Sequence, residues 1–479
     1  MTISSLKCCW GVLALAGWLG LGLARAVLAQ EEGLPTDVQE ALAQAGIPLG
    51  AVSVVVQDLA AAAPVVRWNG AESRRPASLM KLVTTYSALA GLGPAYTWET
   101  RVRGSYPEKG VMAGDLYVEG SGDPALSLER WQTLLRDLRI LGVQRIRGNL
   151  VLDTSAFAPP LQEAGAFDHQ AYRTYNTMPE ALQVGFKAVT LRIEVANGQV
   201  RALPDFDFPE LRVENRLRVS DEPCPANWKG RLERTVEDDG EHARIRLRGS
   251  FPASCGVKTL SFSVFSNERF ILYAFRKIWK ELGGTFTGTV VSGQAPEGSP
   301  VLAVTRSPSL ADVLRDINKY SNNLMARTLF LDLGRTGEGP ATPEKAAAQV
   351  RRLLQARGLD FPELVLENGA GLSRRESITA DHLNALLRAA HQDPFQPEFE
   401  SSLPLAGLDG TLATRLQEPV VQGRFHLKTG SLDEVSGIAG YGRTPSGKEV
   451  TVVFLVNHSQ ADAARSAQDA LLRWIARTF

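Results

Sequence analysis

The sequence predicts an α+β fold, and three features of the residue pattern support it. Two β-rich runs at 51–56 and 65–68 are followed by a helical pattern at 78–90, in which apolar residues recur every three or four positions. Short strand-like segments with frequent turns fill residues 95–300, and helical patterns return after residue 300. At 479 residues the chain can hold about three domains, or one large domain that carries insertions.

Each part of this pattern ends at residues that interrupt regular structure. We expect the two β-rich runs to form a hairpin, and Gly91, Gly93 and Pro94 end the helix that follows. Arginines alternate with apolar residues at 244–248, which is typical of an antiparallel sheet with one solvent-facing side. The other expected elements are strands at 150–152, 191–195 and 243–247, helices at 310–333, 341–357 and 380–391, a strand at 450–456, and a C-terminal helix that packs on a sheet.

Charge and composition exclude several classes of partner. The 52 basic and 52 acidic residues cancel, so we expect no nucleic-acid partner and at most a peripheral contact with a membrane. The 44% hydrophobic and 22% charged residues are typical of a globular protein. Only six histidines occur, none in an H-E-x-x-H pattern, and a nucleotide-binding loop is absent from the sequence. We therefore predict neither a metal nor an organic cofactor.

The N-terminal residues predict an export signal. Lys7 precedes a charge-free stretch at 8–24, and small residues follow at positions suited to cleavage after Ala26 or Ala29. An uncleaved anchor is the alternative, although a 17-residue apolar run spans a membrane only marginally. We therefore predict a signal peptide at 1–29.

Two cysteines follow that segment in the mature chain. Cys224 and Cys255 form a single even pair, and in an oxidising compartment we predict that they form a disulfide. Closing a loop of this length stabilises a fold by roughly 3–4 kcal/mol in the chain-entropy treatment. Two reduced core cysteines are the alternative.

Three short motifs occur in one order along the chain. They are S-x-x-K at 78–81, S-x-N at 321–323 and K-T-G at 428–430. Each has an ordinary structural explanation when taken alone, a helix cap for the first two and a turn beside a strand for the third. S-x-x-K also recurs by chance at 4–7, whereas the other two motifs occur once each. Their occurrence together and in order predicts an active site.

The spacing of these motifs fits nucleophilic catalysis. Residues three apart share a helix face, so Lys81 can bring its amine to the Ser78 hydroxyl, and a desolvated lysine beside another cation can accept the proton. A serine in the first turn of a helix also meets backbone N–H groups that stabilise an oxyanion. Gly430 permits close approach of an extended peptide along a strand edge, and Lys428 supplies positive charge.

With these motifs the sequence resembles the serine penicillin-recognising enzymes. It is more closely similar to D-alanyl-D-alanine carboxypeptidase/endopeptidases of the penicillin-binding protein 4 type, the low-molecular-mass class C penicillin-binding proteins, which carry extra domains between the first two motifs. Here Ser321 follows Lys81 by 240 positions. The likeness extends over the mature chain, with further matching stretches at 76–78, 120–124, 149–153, 403–407, 409–412 and 428–432.

This resemblance implies a transpeptidase- and β-lactamase-like catalytic domain, an antiparallel sheet with helices, that is interrupted by inserted β-rich domains. The two catalytic segments must then meet in space. The expected bounds are residues 30–95 and 300–479 for the catalytic domain, 96–187 and 262–299 for inserted domain II, and 188–261 for inserted domain III.

The resemblance also implies catalytic roles for five side chains. Ser78 would be the acylated nucleophile and Lys81 its base. Ser321 and Asn323 would relay a proton and contact a substrate amide, and Lys428 would lie near the substrate's terminal carboxylate.

Substrate contacts are implied for residues around the third motif and on two loops. Thr429 would lie near the terminal carboxylate, and the N–H groups of Ser78 and Ser431 would form an oxyanion hole beside Gly430. Recognition of the stem-peptide side chain would fall to Asp168, Arg374 and Asp433.

Departures from the family pattern leave stem-peptide specificity open. Asn368 and Ala370 stand where the family's D-G-S-G-L-S-R stretch has Asp and Ser, shortly before Arg374. Asp433 replaces an uncharged residue, and Asp168 is assigned through a loop of variable length.

The implied activity is that of a periplasmic serine DD-peptidase. Through an acyl-enzyme it would remove the terminal D-Ala of peptidoglycan stem peptides and hydrolyse D-Ala cross-links, and β-lactams would acylate it. The motifs leave open the balance between carboxypeptidase and endopeptidase activity, the rate of β-lactam release and the oligomeric state.

Two other functions stay open at this point. Tyr320-Ser321-Asn322 is in register for the Y-x-N motif of class C β-lactamases, which would make Tyr320 the base and Asn322 the key amide. The second alternative is an inactive peptidoglycan-binding scaffold, although all the motif side chains are present.

Overall fold

The computed structural model describes residues 33–160 and 162–479, so the predicted signal peptide lies outside the described residues. Among the described residues, no helix has both the length and the apolarity needed to cross a bilayer. The α-helices are α1 (Thr36–Gln44), α2 (Met80–Leu92), α3 (Leu128–Ile140), α4 (Asn267–Glu281), α5 (Leu310–Lys319), α6 (Asn323–Leu333), α7 (Pro343–Gln355), α8 (Ala380–Gln392), α9 (Gln396–Ser401) and α10 (Arg465–Thr478).

A five-stranded antiparallel sheet, the central sheet, joins the two ends of the chain. Its strand order is β19 (Phe425–Leu432), β20 (Val435–Arg443), β21 (Glu449–Asn457), β1 (Val52–Asp58) and β2 (Val66–Trp68). The predicted hairpin is confirmed, since β1 pairs with β2. β21 pairs with β1 over seven residues, which brings the two predicted catalytic segments into one sheet.

Helices cover both faces of the central sheet. Val54 and Phe454 pack in one core with residues of α1 and α10, while Val55 and Val453 pack in another with residues of α2, α5, α6, α7 and α8. Because neither face meets water, β1 and β21 are apolar and buried along almost their whole length instead of alternating. Each fully buried aliphatic side chain stabilises the fold by roughly 1.5–3 kcal/mol.

One predicted helix is two helices in the structure. The apolar pattern at 310–333 predicted a continuous helix, but α5 ends at Lys319 and α6 begins at Asn323. Ser321 adopts a φ of 54°, a left-handed conformation that no α-helix contains, and Asn322 caps α6. The prediction was wrong because apolar periodicity continues across a break that the tertiary structure imposes.

Four smaller sheets lie between residues 99 and 306 around a shared apolar core. A two-stranded ribbon of β3 (Ser73–Arg74) and β18 (Ile378–Thr379) lies outside that region. The strand orders of the four sheets are β16 (Val290–Ser292), β8 (Leu150–Asp153), β6 (Leu116–Glu119), β4 (Glu99–Arg103), β17 (Val301–Arg306); β15 (Thr285–Phe286), β7 (Arg145–Ile146), β5 (Val111–Met112); β10 (Gln199–Pro204), β9 (Val189–Ala196), β14 (Lys258–Phe262); and β11 (Leu211–Ser220), β13 (Ala243–Pro252), β12 (Leu232–Asp238).

This middle region differs from its prediction in two respects. It contains the amphipathic helices α3 and α4, whereas the sequence predicted mainly strand and loop. The sheet with the alternating arginines is mixed, because β13 runs parallel to β11 and antiparallel to β12. Cys224 and Cys255, the predicted pair, are joined by a disulfide.

The domain bounds stay predictions, although the strand pairing bears on one of them. β17 starts after the expected boundary at residue 299, yet it pairs with β4 in the first of the smaller sheets. The return of the chain to the helical part therefore takes place within β17 or directly after it.

Candidate active site

Ser78 lies in a short 3₁₀ turn, Ala77–Leu79, immediately before α2. Ala77 has a φ of 47°, which costs a non-glycine residue energy and persists only where the surroundings hold it. The turn is tied to β21, because the N–H of Arg75 donates to Asn457 Oδ1 at 2.8 Å and the Asn457 amide donates to the Arg75 carbonyl at 3.0 Å. The central sheet therefore fixes the position of Ser78.

Two glycines allow other segments to approach this turn closely. A Cβ at Gly430 would lie 2.8 Å from the carbonyl oxygen of Pro76 and 3.2 Å from the Ser78 nitrogen. At Gly371, with φ 80°, a Cβ would lie 1.8 Å from the Ala77 oxygen. The sequence analysis noted the stretch around Gly371 but did not place it against Ser78.

Lys81 is one helical turn from Ser78, and its amine makes three hydrogen bonds. Its Nζ donates to Ser78 Oγ at 3.0 Å, to Asn323 Oδ1 at 2.6 Å and to the carbonyl oxygen of Ala370 at 2.6 Å. The side chain has no solvent-exposed surface. The first and second motifs therefore meet at this amine.

Burial and like charges favour the neutral form of this amine. Burial has the largest effect and lowers the pKa of Lys81 well below its usual value; Lys428 lowers it further, Glu376 opposes the change, and Arg327 adds to it. Lys428 is itself buried, and burial lowers its pKa to about 7. Because its lowered pKa favours the neutral amine, Lys81 can accept a proton from the Ser78 hydroxyl.

The break between α5 and α6 places the second motif against the two buried lysines, Lys81 and Lys428, and the space between the three motifs is here called the cleft. Ser321 accepts a hydrogen bond from Lys428 Nζ at 2.9 Å, and Asn323 accepts from Lys81. Asn322 points elsewhere, because its Oδ1 accepts the N–H of Met325 at 3.1 Å and so caps α6.

This arrangement bears on the Y-x-N alternative. Tyr320 is 69% exposed, and the amide of Asn322 is used in the helix cap. Asn323, by contrast, touches Lys81. The geometry therefore favours S-x-N over Y-x-N as the second motif.

The third motif lies on β19, next to the Ser78 turn. Besides its contact with Ser321, Lys428 Nζ donates to the Thr429 carbonyl at 2.7 Å. The hydroxyls of Thr429 and Thr411 lie 2.8 Å apart, so Thr411 joins the site although the sequence had marked only its surrounding stretch. Ser431 is exposed, near the end of the strand.

Asp168 lies beside the cleft, but its carboxylate is hydrogen-bonded to residues of its own loop. It accepts hydrogen bonds from the Tyr175 hydroxyl and the Asn176 amide, both at 2.6 Å. Burial raises the pKa of Asp168, but these bonds and the N–H of Gln170 outweigh that effect and lower it. The loop adjoins the motifs through the Tyr175 carbonyl oxygen, 3.5 Å from Asn323 Nδ2.

Arg374 and Asp433 form an exposed pair. Their closest charged atoms are 3.9 Å apart, and their side chains are 52% and 84% exposed. The guanidinium of Arg374 also lies over the ring of Phe167, 5.1 Å from its centroid. The three recognition residues predicted from the sequence therefore lie on loops, and in the part of the chain that the structure describes none of them has a hydrogen bond to a motif side chain. Within residues 33–160 and 162–479, no cluster of His, Cys, Asp or Glu could hold a metal ion.

The fold is that of the penicillin-binding-protein class, and in this chain a helix-flanked antiparallel sheet brings the three motifs together. The chain belongs to the D-Ala-D-Ala carboxypeptidase 3 (S13) family, whose sequence pattern matches residues 34–478. The resemblance predicted from the motifs is thereby confirmed.

Individual relatives show how far the likeness extends. The D-alanyl-D-alanine carboxypeptidase of Actinomadura sp. is 30% identical over 440 residues, covering 88% of this chain and 80% of the relative. The D-alanyl-D-alanine carboxypeptidase DacB of Haemophilus influenzae is 26% identical over 400 residues, covering 82% of each. The crystal structure of penicillin binding protein 4 from H. influenzae has a similar fold, with a TM-score of 0.76, 24% identity, and coverage of 92% of this chain and 99% of that one.

Proposed function

We propose that the protein is a periplasmic serine DD-peptidase that removes terminal D-Ala from peptidoglycan stem peptides and hydrolyses D-Ala cross-links. The observation that carries the proposal is the 3.0 Å contact between the buried amine of Lys81 and the hydroxyl of Ser78. Membership of a D-Ala-D-Ala carboxypeptidase family supports the substrate class.

In the acylation step Lys81 accepts the proton of Ser78 while Oγ bonds to the carbonyl carbon of the penultimate D-Ala. The carbonyl oxygen becomes an oxyanion, for which the N–H groups of Ser78 and Ser431 are the proposed donors. The amide C–N bond then breaks, a proton passes to the nitrogen of the leaving D-Ala, and an ester remains on the serine.

Lys428 and Ser321 are the proposed route for the leaving-group proton. Their polar atoms are 2.9 Å apart, and a pKa of about 7 lets Lys428 give or take a proton near neutral pH. Thr429 would contact the substrate's terminal carboxylate. In deacylation a water molecule attacks the ester and its proton passes through Ser321 to Lys428, which lost one in acylation. Lys81 returns its proton to Ser78 Oγ as the ester bond breaks, which releases the shortened peptide and restores the Ser78 hydroxyl.

The same chemistry cleaves a cross-link when the leaving nitrogen belongs to the side chain of a second stem peptide. A β-lactam offers an equivalent carbonyl to Ser78, so we also propose covalent penicillin binding. The H. influenzae penicillin binding protein 4 has a crystal structure complexed with a β-lactam, and its fold is similar to that of this chain, with a TM-score of 0.72.

A fluorescent penicillin tests the nucleophile directly. Wild-type protein and a Ser446→Ala control, altered at an exposed serine, should be labelled with equal efficiency, and mass spectrometry should find the adduct on the peptide that contains Ser78. Ser78→Ala should give no label. Absence of label in the wild type would favour the scaffold, and sustained rapid turnover of a chromogenic cephalosporin would favour the β-lactamase.

Digestion of purified sacculi tests the two peptidase activities. The expected products are tetrapeptides from pentapeptides and monomers from cross-linked dimers, identified by mass. Dimers that survive digestion while pentapeptides disappear would remove the endopeptidase part of the proposal.

A further inference from the structure

Glu376 is a fully buried carboxylate to which the proposed mechanism gives no role. It lies two residues before β18, and its Oε1 accepts the backbone N–H groups of Glu367, Asn368 and Gly369 at 2.9, 2.8 and 2.9 Å. Burial has the largest effect and raises the pKa of Glu376, while the three N–H donors on one oxygen stabilise the ionised carboxylate and oppose that change. The side chain therefore closes the segment 367–371, here called the carboxylate loop.

The carboxylate loop touches α2 and the turn that contains Ser78 at three points. The carbonyl of Ala370 accepts from Lys81 Nζ at 2.6 Å. The carbonyl of Gly369 accepts from the Thr84 hydroxyl of α2 at 2.6 Å. Gly371 lies against the turn that carries the nucleophile, with no room for a Cβ. A shift of this loop would therefore displace the Lys81 amine.

The charges around Lys81 give Glu376 a second effect. Lys428 and Arg327 lower the pKa of Lys81, whereas Glu376 raises it. Burial lowers the pKa of Arg327 to about 10, and Glu376 and then Glu367 oppose that change. Burial accounts for the low pKa of Lys428. Of the two buried lysines, Lys81 is therefore the one whose pKa Glu376 raises.

We propose that Glu376 is a positioning residue, whose buried carboxylate holds the carboxylate loop against Lys81 and places a negative charge beside that base among neighbouring cations. This inference rests on the proposed serine mechanism. Glu376 contacts neither substrate nor reacting atoms; it acts through Lys81 and through the Ala370 carbonyl.

The pH dependence of acylation by a fluorescent penicillin tests the charge. Glu376→Gln keeps the accepting oxygen and puts an amide nitrogen where Oε2 has no hydrogen-bond partner among the described residues. Removal of the negative charge lowers the pKa of Lys81 further, so the acid limb of the acylation rate should move to lower pH. A purely structural role would change the rate without moving this limb.

A charge-conserving variant tests the loop separately. Glu376→Asp keeps the carboxylate but shortens its reach to the three N–H groups, so the acid limb should stay in place while the rate falls by about tenfold. Glu363→Gln is the matched control: this carboxylate also accepts a backbone N–H, from Thr379, but does not contribute to the pKa of Lys81, so the limb should not move.

The outcomes separate this inference from the proposed function. Wild-type protein that fails to become labelled at Ser78 overturns the serine mechanism. Labelled wild type with an unmoved acid limb in Glu376→Gln overturns the role of the charge alone. An unchanged rate in Glu376→Asp overturns the role in holding the loop, a result that does not depend on the folding of the glutamine variant.

Discussion

The motif side chains and the recognition side chains are held in very different ways. Lys81 and Lys428 are fully buried; the amine of Lys81 donates three hydrogen bonds and that of Lys428 donates two. Arg374 and Asp433 are largely exposed and approach each other only to 3.9 Å. Buried, fully bonded groups cannot move without a large cost, whereas an exposed ion pair contributes little to stability. The side chains proposed for the chemistry are therefore held rigidly, whereas those proposed for specificity are held weakly.

Among substitutions that test this comparison, the largest expected loss of acylation rate is at Lys81. Lys81→Met fills similar space but removes the proposed base, so penicillin acylation should fall by about 10³-fold. The rate of fluorescent labelling measures this, with the melting temperature as a control for folding. Retention of more than about a tenth of the wild-type rate would show that another group takes the Ser78 proton.

Neighbouring asparagines provide a sharper comparison within the second motif. Asn323→Ala removes a contact of Lys81 and should lower acylation by about 10–100-fold. Asn322→Ala removes a helix cap and should cost about 1 kcal/mol of unfolding free energy with little change in rate. The reverse result, a larger rate loss in Asn322→Ala, would restore the Y-x-N interpretation.

The buried amine of Lys428 predicts a pH dependence of stability. Its folded-state pKa of about 7 lies below the unfolded value near 10, so between these pH values the unfolded chain binds more protons and the free energy of unfolding rises with pH. Lys428→Met should reduce the rise measured by denaturant unfolding between pH 7 and 10. Lys280→Met, at an exposed helix position, should leave it unchanged, and an equal slope in all three proteins would contradict the prediction.

The smallest expected effects are at the exposed pair. Arg374→Ala and Asp433→Asn should each change the free energy of unfolding by less than about 1 kcal/mol. Their effect should appear instead in the relative kcat/KM for stem peptides that differ in the third residue, while penicillin acylation stays within about threefold of wild type. Equal losses for every peptide and for penicillin would show that the pair supports the cleft and does not select the substrate.

Much of the fold could be predicted because its signals are local. The β1–β2 hairpin, α7, α8, β21 and the packing helix α10 follow from apolar periodicity and turn residues. The helices α3 and α4 were missed because the surrounding short strands suggested a uniform β-rich region. The division into α5 and α6 was missed because the apolar pattern of both helices continues in phase across Ser321.

By itself, the sequence determined which residue types are candidates for the chemistry, since each of the three motifs is a short run of neighbouring residues and their order can be read along the chain. The tertiary structure decided what surrounds them. Ala370, which accepts a hydrogen bond from Lys81, is 289 positions away from it along the chain. Gly371, in the same distant loop, lies against the turn that contains Ser78. Burial, which lowers the pKa of Lys81 and raises that of Glu376, depends on all the segments packed around a group, and no local pattern contains that information.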